Sequence, residues 1–160
     1  WLFLYPGLIL LIAGIVGGVI LSIGQVGIGS VVFGIHTLLY CMMAVIIGVN
    51  VIYFYLFTKL YAEKSHFIPH DKAIDRFAKW GEDKGIFIGF LLALLGLIAS
   101  IVALAMWGDT GFSQMKPETL MRFVLPAATL IEVGIETIFA SFFMGILKIN
   151  WKGEKNDSCD

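Results

Sequence analysis

The sequence predicts an all-α integral membrane protein whose four transmembrane helices form two repeated hairpins, with a short interfacial helix in the cytoplasmic loop. The chain of 160 residues is 59% hydrophobic and only 14% charged, whereas soluble domains carry about 25% charged residues. No Asp, Glu, Lys or Arg occurs between Trp1 and Thr58. A soluble fold needs a charged surface, so this composition excludes one. Helices are expected because a helix satisfies its own backbone groups in lipid.

Each predicted transmembrane helix is an apolar run of about 20 residues or more, the length that a bilayer requires. The glycine-rich segment "GQVGIGSVVFG" separates the first run from the second and predicts a chain reversal. An unbroken helix from Trp1 to Thr58 would be about 85 Å long, too long for one bilayer. The four spans are predicted at about 2–23, 33–60, 85–107 and 123–147, within a single membrane domain of residues 1–160.

Lysine and arginine set the predicted orientation, since cytoplasmic loops carry an excess of both. Nine of the eleven cluster around the loop after the second span and in the tail, and only Lys116 and Arg122 lie on the other side. Both termini are therefore predicted to be cytoplasmic. Basic residues at this interface are candidates to hold a lipid phosphate, although they are also the residues that topology alone requires. The candidates are Lys59, Lys64, Arg76, Lys79 and Lys148.

The loop between the second and third spans predicts a short amphipathic helix. In "HDKAIDRFAKWGEDKG", apolar residues recur at helical spacing and charged residues occupy the other face. Asp71 is suited to cap the start of this helix, and Gly81 to end it. A solvated connector is the alternative interpretation of the same pattern.

An internal repeat relates the two halves of the chain. Gly7 and Gly14 recur as Gly89 and Gly96, 82 positions later. In the second span of each half the offset is 86, which pairs Gly48 with Gly134, Asn50 with Glu136, and Phe57 with Phe143. His36 and Arg122 are also 86 apart, each at the outer entrance of its span. Both hairpins start on the same side of the membrane, so the repeat is of the parallel type.

Two carboxyls, Glu132 and Glu136, are the only charged groups between Phe123 and Leu147. Their spacing of four places them on one helix face. A charged carboxylate at mid-membrane costs about 2.5–3.5 kcal/mol, so at least one is expected to be protonated at pH 7. A functional interpretation is a proton relay, an ion site or a contact with a partner subunit. The alternative is a pair of protonated carboxyls bonded to Asn50, Thr129 or the backbone.

Other candidate sites have weaker support in the sequence. His36 has no second histidine at matching depth, which argues against a membrane haem. His66, His70 and Asp71 offer imidazole and carboxylate groups that suit zinc, but without thiolates. No nucleophile–base set, phosphate-binding glycine loop or nucleic-acid surface is recognisable, so we predict no catalytic residue and no metal site in this chain.

Several stretches together resemble the carboxyl-terminal membrane region of bacterial family 2 glycosyltransferases similar to dolichol-phosphate mannose or glucose synthases. They are "WLFLYPGLILLIAG", "GIHTLLYCMMAVIIGVNVIYFYLFTKLYA", the "GF" of Gly111 and Phe112, and "RFVLPAATLIEVGIETIFASFFMGIL". The resemblance covers nearly the whole chain in the same order. It departs from the expected pattern at Asn50 and Glu136, where glutamine is expected, and at Glu132, where an aliphatic residue is expected.

The resemblance implies an upstream GT-A domain that binds a nucleotide sugar and a divalent metal and transfers the sugar to a polyprenyl phosphate. No such domain is contained in this chain, so no cofactor is expected here. The chain begins at Trp1 without a signal sequence, and we expect it to be the carboxyl-terminal part of a longer polypeptide. Its implied location is the bacterial cytoplasmic (inner) membrane.

Three functions follow as hypotheses. The first is a glycosyltransferase membrane anchor that also guides a polyprenyl-phosphate acceptor. The second is a non-enzymatic four-helix structural subunit of a larger membrane complex, and the third is a small transporter that uses Glu132 and Glu136. The expected partners are membrane lipids and either further copies of the chain or a larger membrane complex, but not nucleic acid. The reading frame upstream of Trp1 distinguishes the first hypothesis from the second.

Overall fold

The computed structural model describes residues 2–24, 26–28, 31–64, 72–109 and 117–154. Within these residues the chain forms four helices, and each is long and apolar enough to cross a membrane. The helices are α1 (Leu4–Ile23), α2 (Ile35–Lys64), α3 (Lys72–Asp109) and α4 (Pro117–Glu154). The candidate spans are Leu4–Ile23, Ile35–Glu63, Lys84–Gly108 and Glu118–Leu147, which confirms the prediction of four membrane-spanning helices.

The connection between α1 and α2 contains a short β-ribbon that the sequence pattern does not predict. Strands β1 (Val26–Ile28) and β2 (Val31–Phe33) pair antiparallel, with Val26 opposite Phe33. The predicted start of the second span at Phe33 is wrong, because Phe33 belongs to β2 and the helix begins at Ile35. The physical reason is composition, since the valine and isoleucine residues of the two strands favour extended backbone.

The predicted interfacial helix is not a separate element. The structure confirms helix from Lys72 onward, but the predicted end at Gly81 is wrong, because α3 continues through Gly81 into the third span. Gly81 is buried, and a Cβ placed on it would lie 2.8 Å from the terminal methyl of Met144 in α4. The glycine therefore permits close helix packing instead of ending the helix. Asp71 lies outside the described residues.

Glycine contacts show that the two hairpins repeat the same helix packing. A Cβ on Gly14 would lie 2.7 Å from the carbonyl oxygen of Cys41, and one on Gly96 would lie 2.7 Å from that of Ala127. Cys41 and Ala127 are themselves 86 positions apart. The α1–α2 and α3–α4 pairs thus approach backbone to backbone at equivalent positions, as small residues allow in membranes.

The two hairpins pack on each other mainly through their second helices, α2 and α4. Small or flexible side chains fill much of the interior, including Ala103, Ala127, Ala140 and Met144, and Leu38 is fully buried. Most large apolar side chains of α1 and α3 face outward, where lipid replaces water as the solvent. This arrangement places the polar residues of α2 and α4 near the contact between hairpins.

Candidate functional site

The contact between α2 and α4, called here the hairpin interface, is centred on two phenylalanine rings related by the repeat. The centroids of Phe57 and Phe143 are 4.7 Å apart, with an edge-to-face angle of 69°. When two repeat-related residues touch each other, the pseudo-twofold axis passes close to both, as at an isologous interface. Tyr53 stacks on Phe57 at 6.3 Å, which extends the row of rings along α2.

A side-chain hydrogen bond joins α2 to α4 across the hairpin interface. The Tyr53 hydroxyl donates to Oγ1 of Thr137 at 2.7 Å, and Thr137 donates in turn to the carbonyl of Val133 at 2.6 Å. The repeat-related positions of this pair hold Phe139 and Val51, which have no polar side-chain atoms. The polar link therefore exists on one side of the pseudo-twofold axis only, and it breaks the symmetry of the repeat.

A cavity of about 530 Å³ runs along the hairpin interface and is called here the aromatic groove. From α2 it is lined by Asn50, Tyr53, Phe54 and Phe57. From α4 it is lined by Glu136, Phe139, Ala140, Phe142, Phe143 and Ile146. Each of the four α2 residues has its repeat partner, 86 positions later, among the α4 residues. The groove is thus built by the internal repeat, with six aromatic side chains among its ten lining residues.

Asn50 and Glu136 lie on the same surface as predicted, but the hydrogen bond predicted between them is not formed. Both residues line the aromatic groove, as the repeat implies. They do not hydrogen-bond to each other: Nδ2 of Asn50 donates to the carbonyl of Ile46 at 3.3 Å, within its own helix. Oε2 of Glu136 is buried and has no hydrogen-bond partner. The cross-hairpin bond expected of these two residues is made by Tyr53 and Thr137 instead.

Glu132 lies one turn before Glu136 and is exposed on α4. A second cavity, of about 500 Å³, is lined by both carboxylic residues together with Ile131, Ile135 and Phe139 among others. Glu136 thus borders both cavities. Thr129 does not reach either carboxyl, because its hydroxyl donates to the carbonyl of Leu125 at 2.9 Å. The proposed bonds of the carboxyls to Asn50 and Thr129 are therefore absent from the structure.

Comparison with known proteins identifies the family. The family model described as the glycosyltransferase family 2 C-terminal transmembrane region matches residues 56–148, more than half of the chain. The chain belongs to this family. The match begins within α2 and covers α3 and most of α4, so it includes Phe57, Glu136 and Phe143 of the groove. The resemblance inferred from the sequence is confirmed.

A curated relative agrees with this assignment. The low-salt glycan biosynthesis hexosyltransferase Agl6 of Haloferax volcanii is 28% identical over 152 residues, which are 92% of this chain and 35% of the relative. The chain thus spans about a third of the length of that enzyme. No solved structure matches the chain.

The basic candidates of this glycosyltransferase membrane domain lie at the helix ends on one side. Lys59 is half-buried, with Nζ 5.7 Å from the centroid of the Tyr55 ring. Lys64, Arg76, Lys79 and Lys148 lie on helices, but their side chains are outside the described part of the structure. Their role in binding phosphate stays a prediction.

The remaining predicted residues lie away from the groove or outside the described chain. His36 is exposed in the first turn of α2, and Arg122 is half-buried in the second turn of α4. Neither lines either cavity. His66, His70 and Asp71 lie outside the described residues, so their suggested metal site stays a prediction.

The sequence did not predict the hydrogen bond between Tyr53 and Thr137. It also did not predict that the aromatic residues line one surface. A signal for the surface was present, because aromatic residues at 53, 54 and 57 are matched by those at 139, 142 and 143 at nearly the repeat offset. No sequence signal identified the Tyr53–Thr137 bond, since its two residues are 84 positions apart and not repeat partners.

Proposed function

We propose that this chain is the membrane domain of a glycosyltransferase that moves a sugar from a nucleotide sugar to a polyprenyl phosphate. It anchors the enzyme and guides the lipid acceptor, while catalysis and the divalent metal belong to a region outside these 160 residues. The observation that carries the proposal is the family match over residues 56–148, together with a hexosyltransferase relative about three times as long. The membrane is proposed to be the cytoplasmic (inner) membrane.

The distribution of charge supports a lipid-guiding role for one end of the domain. Lys59 and Lys148 follow the groove residues Phe57 and Ile146 at a distance of two positions on α2 and α4. Ammonium groups at the interface attract a lipid phosphate by about 1 kcal/mol each. With both termini on this side, a catalytic region placed before residue 1 would work at the same surface as these lysines. Further copies of the chain, or other subunits of a larger membrane complex, are proposed as neighbours in the bilayer.

The test uses the complete protein that the gene encodes, in membranes, with radiolabelled nucleotide sugars and polyprenyl phosphate. Sugar should appear in the organic-solvent extract as a lipid-linked product. A variant in which this chain is replaced by an unrelated four-helix anchor is expected to keep membrane attachment but to show a higher KM for the lipid. Absence of any lipid-linked sugar with the unmodified protein, across the common nucleotide sugars, would refute the proposal.

A further inference from the structure

We infer that the aromatic groove is the binding site for the hydrocarbon chain of the acceptor, with the phosphate at the lysine end. This inference rests on the proposed function and deepens it by assigning the acceptor to one surface of the domain. The ligand class is a single-chain isoprenoid lipid phosphate.

The first argument is the course of the groove. Its deep end is formed by Asn50 and Glu136 and its other end by Phe57 and Ile146. From Glu136 to Ile146 the helical rise is about 15 Å, half of the hydrocarbon thickness. The groove therefore extends from mid-membrane to the interface, which is the path that a lipid chain takes when its headgroup stays at the surface.

The second argument is access. Several lining side chains are open to the bilayer, among them Phe139 at 69% exposure, Phe142 at 56% and Ile146 at 63%. A lipid chain that diffuses in the membrane enters such a groove sideways, without crossing the protein or leaving the hydrocarbon region. A soluble ligand has no equivalent route to a site at this depth.

The third argument is the lining. Aromatic residues make up 14% of the chain but six of the ten residues around the groove. The rings pack in a row, Tyr53 on Phe57 and Phe57 on Phe143. Rigid rings lose little conformational freedom when a chain packs on them, and close packing is the main source of affinity where lipid already surrounds the site.

The fourth argument is polarity, which fixes the direction of the lipid. Glu136 lies at the deep end, with Glu132 one turn earlier in α4, and Lys59 and Lys148 lie beyond the other end. A phosphate is attracted by ammonium groups, and none of the described residues that line the deep end of the groove is basic. Only one direction of the lipid therefore agrees with the charges: phosphate at the lysine end and hydrocarbon toward Glu136.

The experiment compares two matched double variants of the complete protein. Phe139→Ala/Phe142→Ala removes two rings from the groove, and Phe87→Ala/Phe90→Ala removes two rings of α3 that do not line it. The control pair has the same spacing and nearly the same exposure, 70% and 59% against 69% and 56%. The groove variant should raise the KM for polyprenyl phosphate about fivefold, equivalent to about 1 kcal/mol. The KM for the nucleotide sugar and the kcat should stay unchanged, and the control variant should match the wild type in all three constants.

A second measurement identifies the occupant. Polyprenyl phosphate with a diazirine near the phosphate end of its chain is photolysed with the wild-type protein, and labelled peptides are mapped. Labels are expected on the α4 segment 139–146 in preference to α3 segment 86–95. Equal labelling of the two segments, or equal labelling of the groove by a phospholipid with the same diazirine, would overturn the inference. So would equal KM values for the groove and control variants in an active enzyme, a result that leaves the proposed function standing. If the wild-type protein transfers no sugar to polyprenyl phosphate, both the groove inference and the proposed function are refuted.

Discussion

Substitution of Gly134 by alanine tests whether backbone contact between α3 and α4 holds the second hairpin together. A Cβ at this position would lie 2.5 Å from the backbone nitrogen of Ala93 and 2.6 Å from the carbonyl oxygen of Gly89, whereas ordinary contact begins at 3.4 Å. Both neighbours are backbone atoms, so no rotamer change relieves the clash, and α3 must move away by about 1 Å.

The expected magnitude is the difference of two terms. Overpacking of this kind costs about 1–3 kcal/mol. Alanine in place of glycine stabilises a helix by up to about 1 kcal/mol. The free energy of unfolding is therefore expected to fall by up to about 2 kcal/mol in Gly134→Ala. Gly145→Ala in the same helix is the control, because no atom lies within 4 Å of the new Cβ, and only the stabilising term applies.

The assay is SDS-induced unfolding of the chain in mixed micelles, followed by circular dichroism. Gly134→Ala should unfold at lower SDS mole fraction than the wild type, and Gly145→Ala at equal or higher mole fraction. Gly48→Ala is the repeat-related test in the first hairpin, where a Cβ would lie 2.7 Å from the nitrogen of Leu11. If Gly134→Ala and Gly145→Ala unfold at the same SDS fraction, the glycine contacts do not hold the hairpin, and the reasoning fails.

Three further predictions concern polar groups and topology. Tyr53→Phe removes the bond to Thr137 and should lower the free energy of unfolding by about 0.6 kcal/mol. Thr137→Val should give a similar loss. If the double variant loses the sum of the two single losses, the two side chains do not share a bond. Glu132→Leu should favour insertion of the fourth span by up to about 3 kcal/mol in a glycosylation-reporter assay, and an unchanged inserted fraction would show that this carboxyl carries no insertion cost. In a Cys41→Ser/Cys159→Ser background, which removes both native thiols, a cysteine introduced by Gly27→Cys should react with a membrane-impermeant maleimide added from outside the cell, and labelling only after lysis would reverse the predicted orientation.

The polar residues at the hairpin interface differ in whether their side chains have hydrogen-bond partners. Tyr53 and Thr137 satisfy each other, so they stabilise the contact of the hairpins. Glu136 keeps a buried oxygen without a partner, a state that is costly in a low-dielectric medium. It is therefore the residue at this interface whose polarity helix packing does not explain.

The candidate site was predictable in its depth and symmetry but not in its bonds. The repeat offset of 86 correctly placed Asn50 and Glu136 on one surface, because equivalent positions in a repeat occupy equivalent depths. It did not show that Asn50 bonds to its own helix, since the rotamer of an amide depends on neighbours that the sequence does not order in space.

The sequence by itself determined the membrane class, the four spans and the internal repeat. The class and the spans follow from hydrophobicity along the chain and from the length that a bilayer imposes, and the repeat follows from residues that recur at offsets of 82 and 86. It did not determine that Gly81 lies inside a continuous helix, because a glycine ends a helix or admits a neighbour depending on what packs there, and here Met144 does. Tertiary structure alone decided that α2 and α4 meet at Phe57 and Phe143 and leave the aromatic groove between them. The reason is that contacts between hairpins join residues more than 80 positions apart, and lipid-facing and partner-facing aromatic residues look the same in an apolar sequence.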